Sequence, residues 1–94
     1  MKGFVYILLC SDGSFYTGST NDLERRILEH QSGEGANHTR KRLPVQLVYT
    51  KEYDRIDEAY YRERQIHEWS HAKKQALIDG RNEDLPELAK RKKK

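Results

Sequence analysis

Ile56, Ala59, Tyr60, Glu63, Ile66 and Ser70 recur at the i, i+3, i+4 spacing of a helix, which places a carboxylate within the stripe expected to face inward. A partly buried, ionised carboxylate is costly unless it meets an arginine, several hydrogen-bond donors or a metal ion. An ordinary ion pair would satisfy Glu63 as well as a metal would. Arg26 and His30 stand four apart on one helix face, beside a Leu23 and Ile27 stripe suited to packing on a sheet. A guanidinium there, always charged and forked, can stabilise charge gathering on a pentavalent phosphorus. The everyday use of such a pair is a solvated face with an intrahelical contact. Tyr6 and Tyr16 read as neighbours on one exposed strand face. A phenol can accept or relay a proton, but its ordinary pKa of about 10 makes a positive neighbour necessary. Paired strand tyrosines also serve simply as packing.

The elements that must hold these groups are legible in outline. Val5, Ile7 and Leu9 alternate with Tyr6 and Leu8 up to Ser11-Asp12-Gly13-Ser14, and Phe15-Tyr16-Thr17 resumes the pattern, so the spacing predicts a hairpin. With Ser11 and Asp12 in a type I turn and Gly13 in a left-handed bulge, Cys10 pairs with Ser14. Val5, Ile7, Leu9 and Phe15 then share one face, and Tyr6, Tyr16 and Gly18 the other. A two-residue Asp12-Gly13 loop would shift the pairing by one and break up the apolar face. Asn21 followed by Glu24 is a capping-box signal for a helix over about residues 22 to 32, ended by Gly33 and Gly35. A basic loop, His38 to Arg42, leads to Pro44 and a third strand over Val45 to Tyr49. Asp54 or Asp57 is positioned to cap a helix through about Trp69, with Ala72 to Ile78 again helical before Gly80. The order is β-β-α-β-α-α, an α+β arrangement.

With 94 residues, 35% hydrophobic and 35% charged, the chain makes one small folded domain, taken as residues 1–80, followed by a polar, basic tail over 81–94. No apolar run approaches the ~18 residues needed to cross a bilayer, no segment reads as a signal peptide, and a cytoplasmic location is expected. Lone Cys10 offers neither an internal disulfide nor a thiolate cage and is expected in the core. The net charge of +3 lies wholly in the tail, because residues 1–80 carry 12 Lys and Arg against 12 Asp and Glu. Charge alone is therefore a weak pointer to nucleic acid, and Lys90 to Lys94 could equally be a solubilising end.

Phe4-Val5-Tyr6, Tyr16-Thr17-Gly18, the run Asp22 to His30 containing Arg26, and Ala59 followed by Glu63 resemble, in order and spacing, the motif series of the GIY-YIG nuclease superfamily. The likeness runs over about residues 3 to 78. It is greatest to the small stand-alone single-domain bacterial branch, through the basic loop and Trp69 with Lys73 and Lys74. The resemblance implies a three-stranded antiparallel sheet flanked by helices and one-metal hydrolysis of nucleic-acid phosphodiesters, DNA more than RNA. It further implies Mg²⁺ or Mn²⁺ on Glu63, phosphate stabilisation by Arg26, and Tyr6 as general base, with Tyr16 and His30 orienting or sharing the proton. Which tyrosine is the base stays open. Gly18 would allow close backbone approach. Arg25, Arg40, Lys41, Arg42, Lys73 and Lys74 are the candidate phosphate contacts. Phe4 and Val5 replace the motif's glycine and isoleucine, and Asn82, a late asparagine, falls in the tail and takes no role.

His67-Glu68-Trp69-Ser70-His71 matches a zinc-protease string, in which two imidazoles one turn apart chelate zinc. A third ligand and a peptide cleft are hard to build in so short a chain, and a helix break near Ser70 would part the two histidines. Two non-enzymatic readings also stand: a nucleic-acid-binding domain that keeps the fold, and an adaptor docking on a protein partner, which could equally supply specificity to a nuclease.

Overall fold

The computed structural model describes residues 1–80. The tail, its lysine run and Asn82 lie outside the described residues. Strand β1 (Gly3–Leu9) pairs antiparallel on one side with β2 (Phe15–Thr20) and on the other with β3 (Gln46–Tyr53), giving the order β2-β1-β3. The hairpin has the bulged register. Tyr6 faces Gly18 and Leu8 faces Tyr16, the Cys10 amide donates to the Ser14 carbonyl at 2.9 Å, and Gly13 takes φ +86°, a left-handed conformation open to glycine. Cys10 is buried, as expected.

Because β1 is central, its alternating residues feed two separate cores. Val5 and Ile7 pack with Ala59, Ile66 and Leu77 of helices α3 (Ile56–His67) and α4 (His71–Ile78). Tyr6, Leu8 and Cys10 pack with Val45, and Tyr16, Leu23, Ile27 and Leu47 close around them, with α1 (Leu23–Gln31) supplying two of these covers. The tyrosine face expected to be exposed is thus covered, and Tyr6 is only 1% accessible. A bulge on β3, where Ile7 faces Tyr49 but Leu8 faces Leu47, turns both Val48 and Tyr49 toward the first core. Among the described residues no helix is long and apolar enough to cross a membrane.

Several boundaries differ from expectation for local reasons. Helix α1 is capped by Asp22, whose carboxylate accepts from the Arg25 amide at 3.3 Å, and not by Asn21, which reaches Met1 instead. β3 begins one residue later than expected and runs on to Tyr53, its solvent face carrying Thr50 and Glu52. Helix α3 starts behind Arg55, with neither Asp54 nor Asp57 as cap; Asp57 sits in its first turn and pairs with Arg55 at 2.8 Å. It stops at His67, short of Trp69, and Ser70 caps α4. Tyr60 and Ser70, expected inward, are exposed, whereas Ala59 and Ile66 are buried and Glu63 is half-buried. A short helix not foreseen, α2 (Asn37–Arg40), lies within the basic loop.

Candidate active site

Tyr6 is carried to the middle of the sheet by β1, and its ring lies over Gly18 of the edge strand. A Cβ at Gly18 would come 2.6 Å from Tyr6 Cζ and closer still to the hydroxyl, so this cross-strand position admits no side chain. Above the phenol, α1 supplies His30, which is fully buried and forms a 2.9 Å hydrogen bond between Nε2 and the Tyr6 hydroxyl. Tyr16 completes an aromatic cluster, its ring 6.5 Å from Tyr6 and 5.2 Å from His30. The other imidazole nitrogen of His30, Nδ1, lies 2.8 Å from the hydroxyl of Thr39 on α2, which is also buried. Arg26, one turn before His30, neighbours the Tyr6 phenol and pairs with Glu29 at 2.9 Å.

These surroundings set the protonation states. Burial, the leading cause, pushes the Tyr6 phenol up to about 12; Arg26 opposes it, while Tyr16 and Glu63 add to it. Burial also holds His30 down to about 4, with the Arg26 charge acting in the same direction. The imidazole is therefore neutral in the fold at neutral pH. An unfolded His30 takes up its proton near pH 6.5 and the folded one only near 4, so stability present above pH 6.5 is lost as pH falls across that interval, by about 3 kcal/mol in all. Denaturant titrations at pH 6.5 and 4.5 should accordingly show a smaller loss in His30→Gln than in the wild type. Equal losses would mean that His30 titrates normally.

Glu63 stands on the other side of the sheet, on α3, and comes to the rim of the same region past the edge strand β2. Its Oε1 accepts from Ser19 Oγ at 3.5 Å, and its charge reaches the Tyr6 phenol. Among the described residues no lysine, arginine or histidine pairs with it. The arginine partner that would have made Glu63 an ordinary ion pair is absent from that set. Beside it opens a shallow pocket of about 240 Å³ shared with Tyr60, Arg64, His67 and Glu68. A half-buried carboxylate with one weak neutral donor and open space in front of it fits a hard cation that keeps most of its own waters.

The candidate phosphate contacts fall into distinct settings. Arg25 is exposed and lies within 4.0 Å of both Asp22 and Glu29. Arg40 donates to Asn37 at 2.6 Å, and Lys41 is exposed beside it. Arg42 acts as a strut: it donates to Asp12 at 2.8 Å and to the His38 carbonyl at 3.0 Å. Together with the hydrogen bonds of Ser14 to Asp12 and His38, it ties the hairpin turn to α2. Ser14 and Arg42 hold the Asp12 carboxyl down to about 2. Lys73 lies over the Trp69 ring at 4.4 Å, and Lys74 is half-buried, which lowers its pKa. Both belong to α4, which packs on the face opposite His30.

The protease string is divided between two helices. His67 ends α3, while His71 opens α4, stacks on Phe15 at 4.3 Å and bonds the Gly13 carbonyl at 3.1 Å. Thr39, Gly35 and His38 are site neighbours that the sequence reading did not single out. Their link to His30 and Tyr16 crosses loops, and no periodicity announces it.

A family model described as the GIY-YIG catalytic domain matches residues 2–76. The chain is 48% identical over 75 residues to a UPF0213 protein of Natronomonas pharaonis, covering 80% of this chain and 88% of that one. It is also 48% identical over 77 residues to a UPF0213 protein of Staphylococcus saprophyticus, covering 82% and 94%. The solution NMR structure of a UPF0213 protein from Bacillus halodurans matches with 46% identity and a TM-score of 0.55 over 84% of each chain. That of a protein from E. faecalis matches with 35% identity and a TM-score of 0.59 over 87% and 88%.

Proposed function

This chain belongs to the GIY-YIG family, and on that premise we propose that it hydrolyses phosphodiester bonds of nucleic acid, DNA before RNA, using one divalent metal ion held by Glu63. The observation that carries the proposal is Glu63 itself: a half-buried carboxylate without a cationic partner among the described residues, at the rim of a cluster that gathers Tyr6, Tyr16, Arg26 and His30. An adaptor surface has no need of that set.

In this reading Arg26, charged at every working pH, faces the charge that develops on the phosphoryl oxygens. Glu63 would hold the divalent ion, Mg²⁺ or Mn²⁺ by the hardness of the donor, which when bound would supply Lewis acidity. Tyr6 serves as the base toward water. With its pKa near 12 the phenol is protonated at neutral pH, so it accepts a proton from the attacking water only while passing its own to His30 Nε2 across their 2.9 Å hydrogen bond. The water oxygen bonds to phosphorus, the ester oxygen departs and takes a proton from solvent, and His30 returns its proton to the Tyr6 oxygen as Tyr6 releases to solvent the one it took from water. Tyr16 packs against the imidazole and keeps its orientation. Arg25, Arg40 and Lys41, exposed on or next to the site helices, would contact flanking phosphates, and Lys73 and Lys74 a strand on the far face. A protein partner would add discrimination among substrates.

The direct test is cleavage of labelled single-stranded, double-stranded and branched DNA and RNA with Mg²⁺, with Mn²⁺ and with chelator. Cutting that requires metal is the expected result. Binding that weakens with salt but never leads to cutting would instead make the chain a nucleic-acid-binding domain. Neither binding nor cutting would favour the adaptor.

A further inference from the structure

We propose that Thr39 is a positioning residue that fixes His30 as its Nδ1–H tautomer, leaving Nε2 bare and aimed at the Tyr6 hydroxyl as proton acceptor. Thr39 Oγ1 lies 3.0 Å from the Ala36 carbonyl and 2.8 Å from His30 Nδ1. A carbonyl can only accept, so the single hydroxyl proton of Thr39 is committed to Ala36. Toward His30 the threonine oxygen can then only accept, and Nδ1 must carry the hydrogen. In a neutral imidazole the other nitrogen is bare, and the Tyr6 hydroxyl 2.9 Å away must be the donor. One chain of hydrogen bonds therefore runs from phenol to imidazole to threonine to backbone, each with a defined direction.

The surroundings hold this direction in place. Thr39 and Ala36 belong to α2 and its N-cap, and the Ala36 carbonyl also accepts from the Arg40 amide at 2.9 Å, so the acceptor is fixed by the first turn of that helix. The backbone at Gly35 closes over the ring: a Cβ there would sit 2.9 Å from His30 Cγ and Cε1 and would collide with Nδ1. A carboxylate in place of Thr39 would orient the ring and also stabilise an imidazolium, whereas a neutral hydroxyl orients it only. His30 thus remains a weak, transient acceptor that returns its proton readily. The catalytic half of the proposal rests on the nuclease reading above; the tautomer does not.

The test is two-bond ¹H–¹⁵N spectroscopy of the full chain at neutral pH. His30 should show a protonated Nδ1 and an unprotonated Nε2. In Thr39→Val, which has nearly the same shape but no acceptor, the signal of the other tautomer should appear. If the chain cuts nucleic acid, kcat should fall about 10- to 100-fold with KM little changed, and Thr39→Ser should restore both readouts. A wild-type His30 protonated at Nε2 would overturn the proposal even if Thr39→Val failed to fold. So would a Thr39→Val spectrum identical to wild type. A correct tautomer in a chain that never cuts would sustain the positioning role and reject the nuclease reading alone.

Discussion

Glu63→Gln is expected to reduce cleavage on the order of 10³-fold or more, because the amide keeps the shape and loses the charge proposed to hold the cation. The same substitution should leave thermal stability unchanged or raise it. Glu63 has no cationic partner among the described residues, so no charge is orphaned, and the amide oxygen can still accept from Ser19. Removing a half-buried, unpaired negative charge relieves a desolvation cost that the fold otherwise tolerates. Parallel cleavage assays and thermal melts therefore separate two meanings of a partly buried carboxylate. Cutting at the wild-type rate would take Glu63 out of the mechanism. A large drop in melting temperature would show that it serves the fold through a contact of another kind.

Tyr6→Phe should have a comparable effect on rate, a fall of about 10²- to 10⁴-fold, since it removes the group that contacts His30 and is proposed to receive the water proton. Here stability should fall as well. Phenylalanine leaves His30 Nε2 buried without a donor, at a cost of about 1–3 kcal/mol. Tyr16→Phe is the informative companion, because the Tyr16 hydroxyl makes no hydrogen bond to a described residue while its ring packs on His30. Its effect should be smaller on both scales, measured by single-turnover cleavage and denaturant unfolding. The reverse order would make Tyr16 the base.

The hairpin is readable from sequence because the bulged turn at Ser11 to Ser14, unlike a two-residue Asp12-Gly13 loop, keeps the apolar residues on one face, and that turn fixes which residues share a face. Tyr6, Tyr16 and Gly18 do share one. That the face is covered is not legible: a strand with apolar groups on one side and tyrosines on the other looks half-solvated, yet α1 packs over it and buries Tyr6. Glu63 was placed partly inward by helical periodicity, correctly, while Tyr60 and Ser70 in the same stripe are exposed. A stripe drawn through Ser70 crosses the helix end at His67, beyond which the period no longer applies. Strand β3 runs past Tyr49 through Lys51 and Glu52 because an edge strand tolerates charge on its open face. The four-residue α2 has no propensity signal long enough to detect, and with it went Thr39, whose partner lies nine residues away across a loop.

Strand β1 is covered on both faces, so its amides should be among the last in the molecule to exchange with solvent, and Tyr6, the proposed base, is attached to that least yielding part. For a nuclease built this way, adaptation at the moment of encounter falls to the nucleic acid. A phosphate must be brought to the rim between Arg26 and Glu63 by bending, fraying or unstacking its own strand, at an energy that varies with the local stiffness of that strand. Such a domain would discriminate among branched, nicked and duplex molecules by how readily each deforms, and it could do so without reading a single base edge.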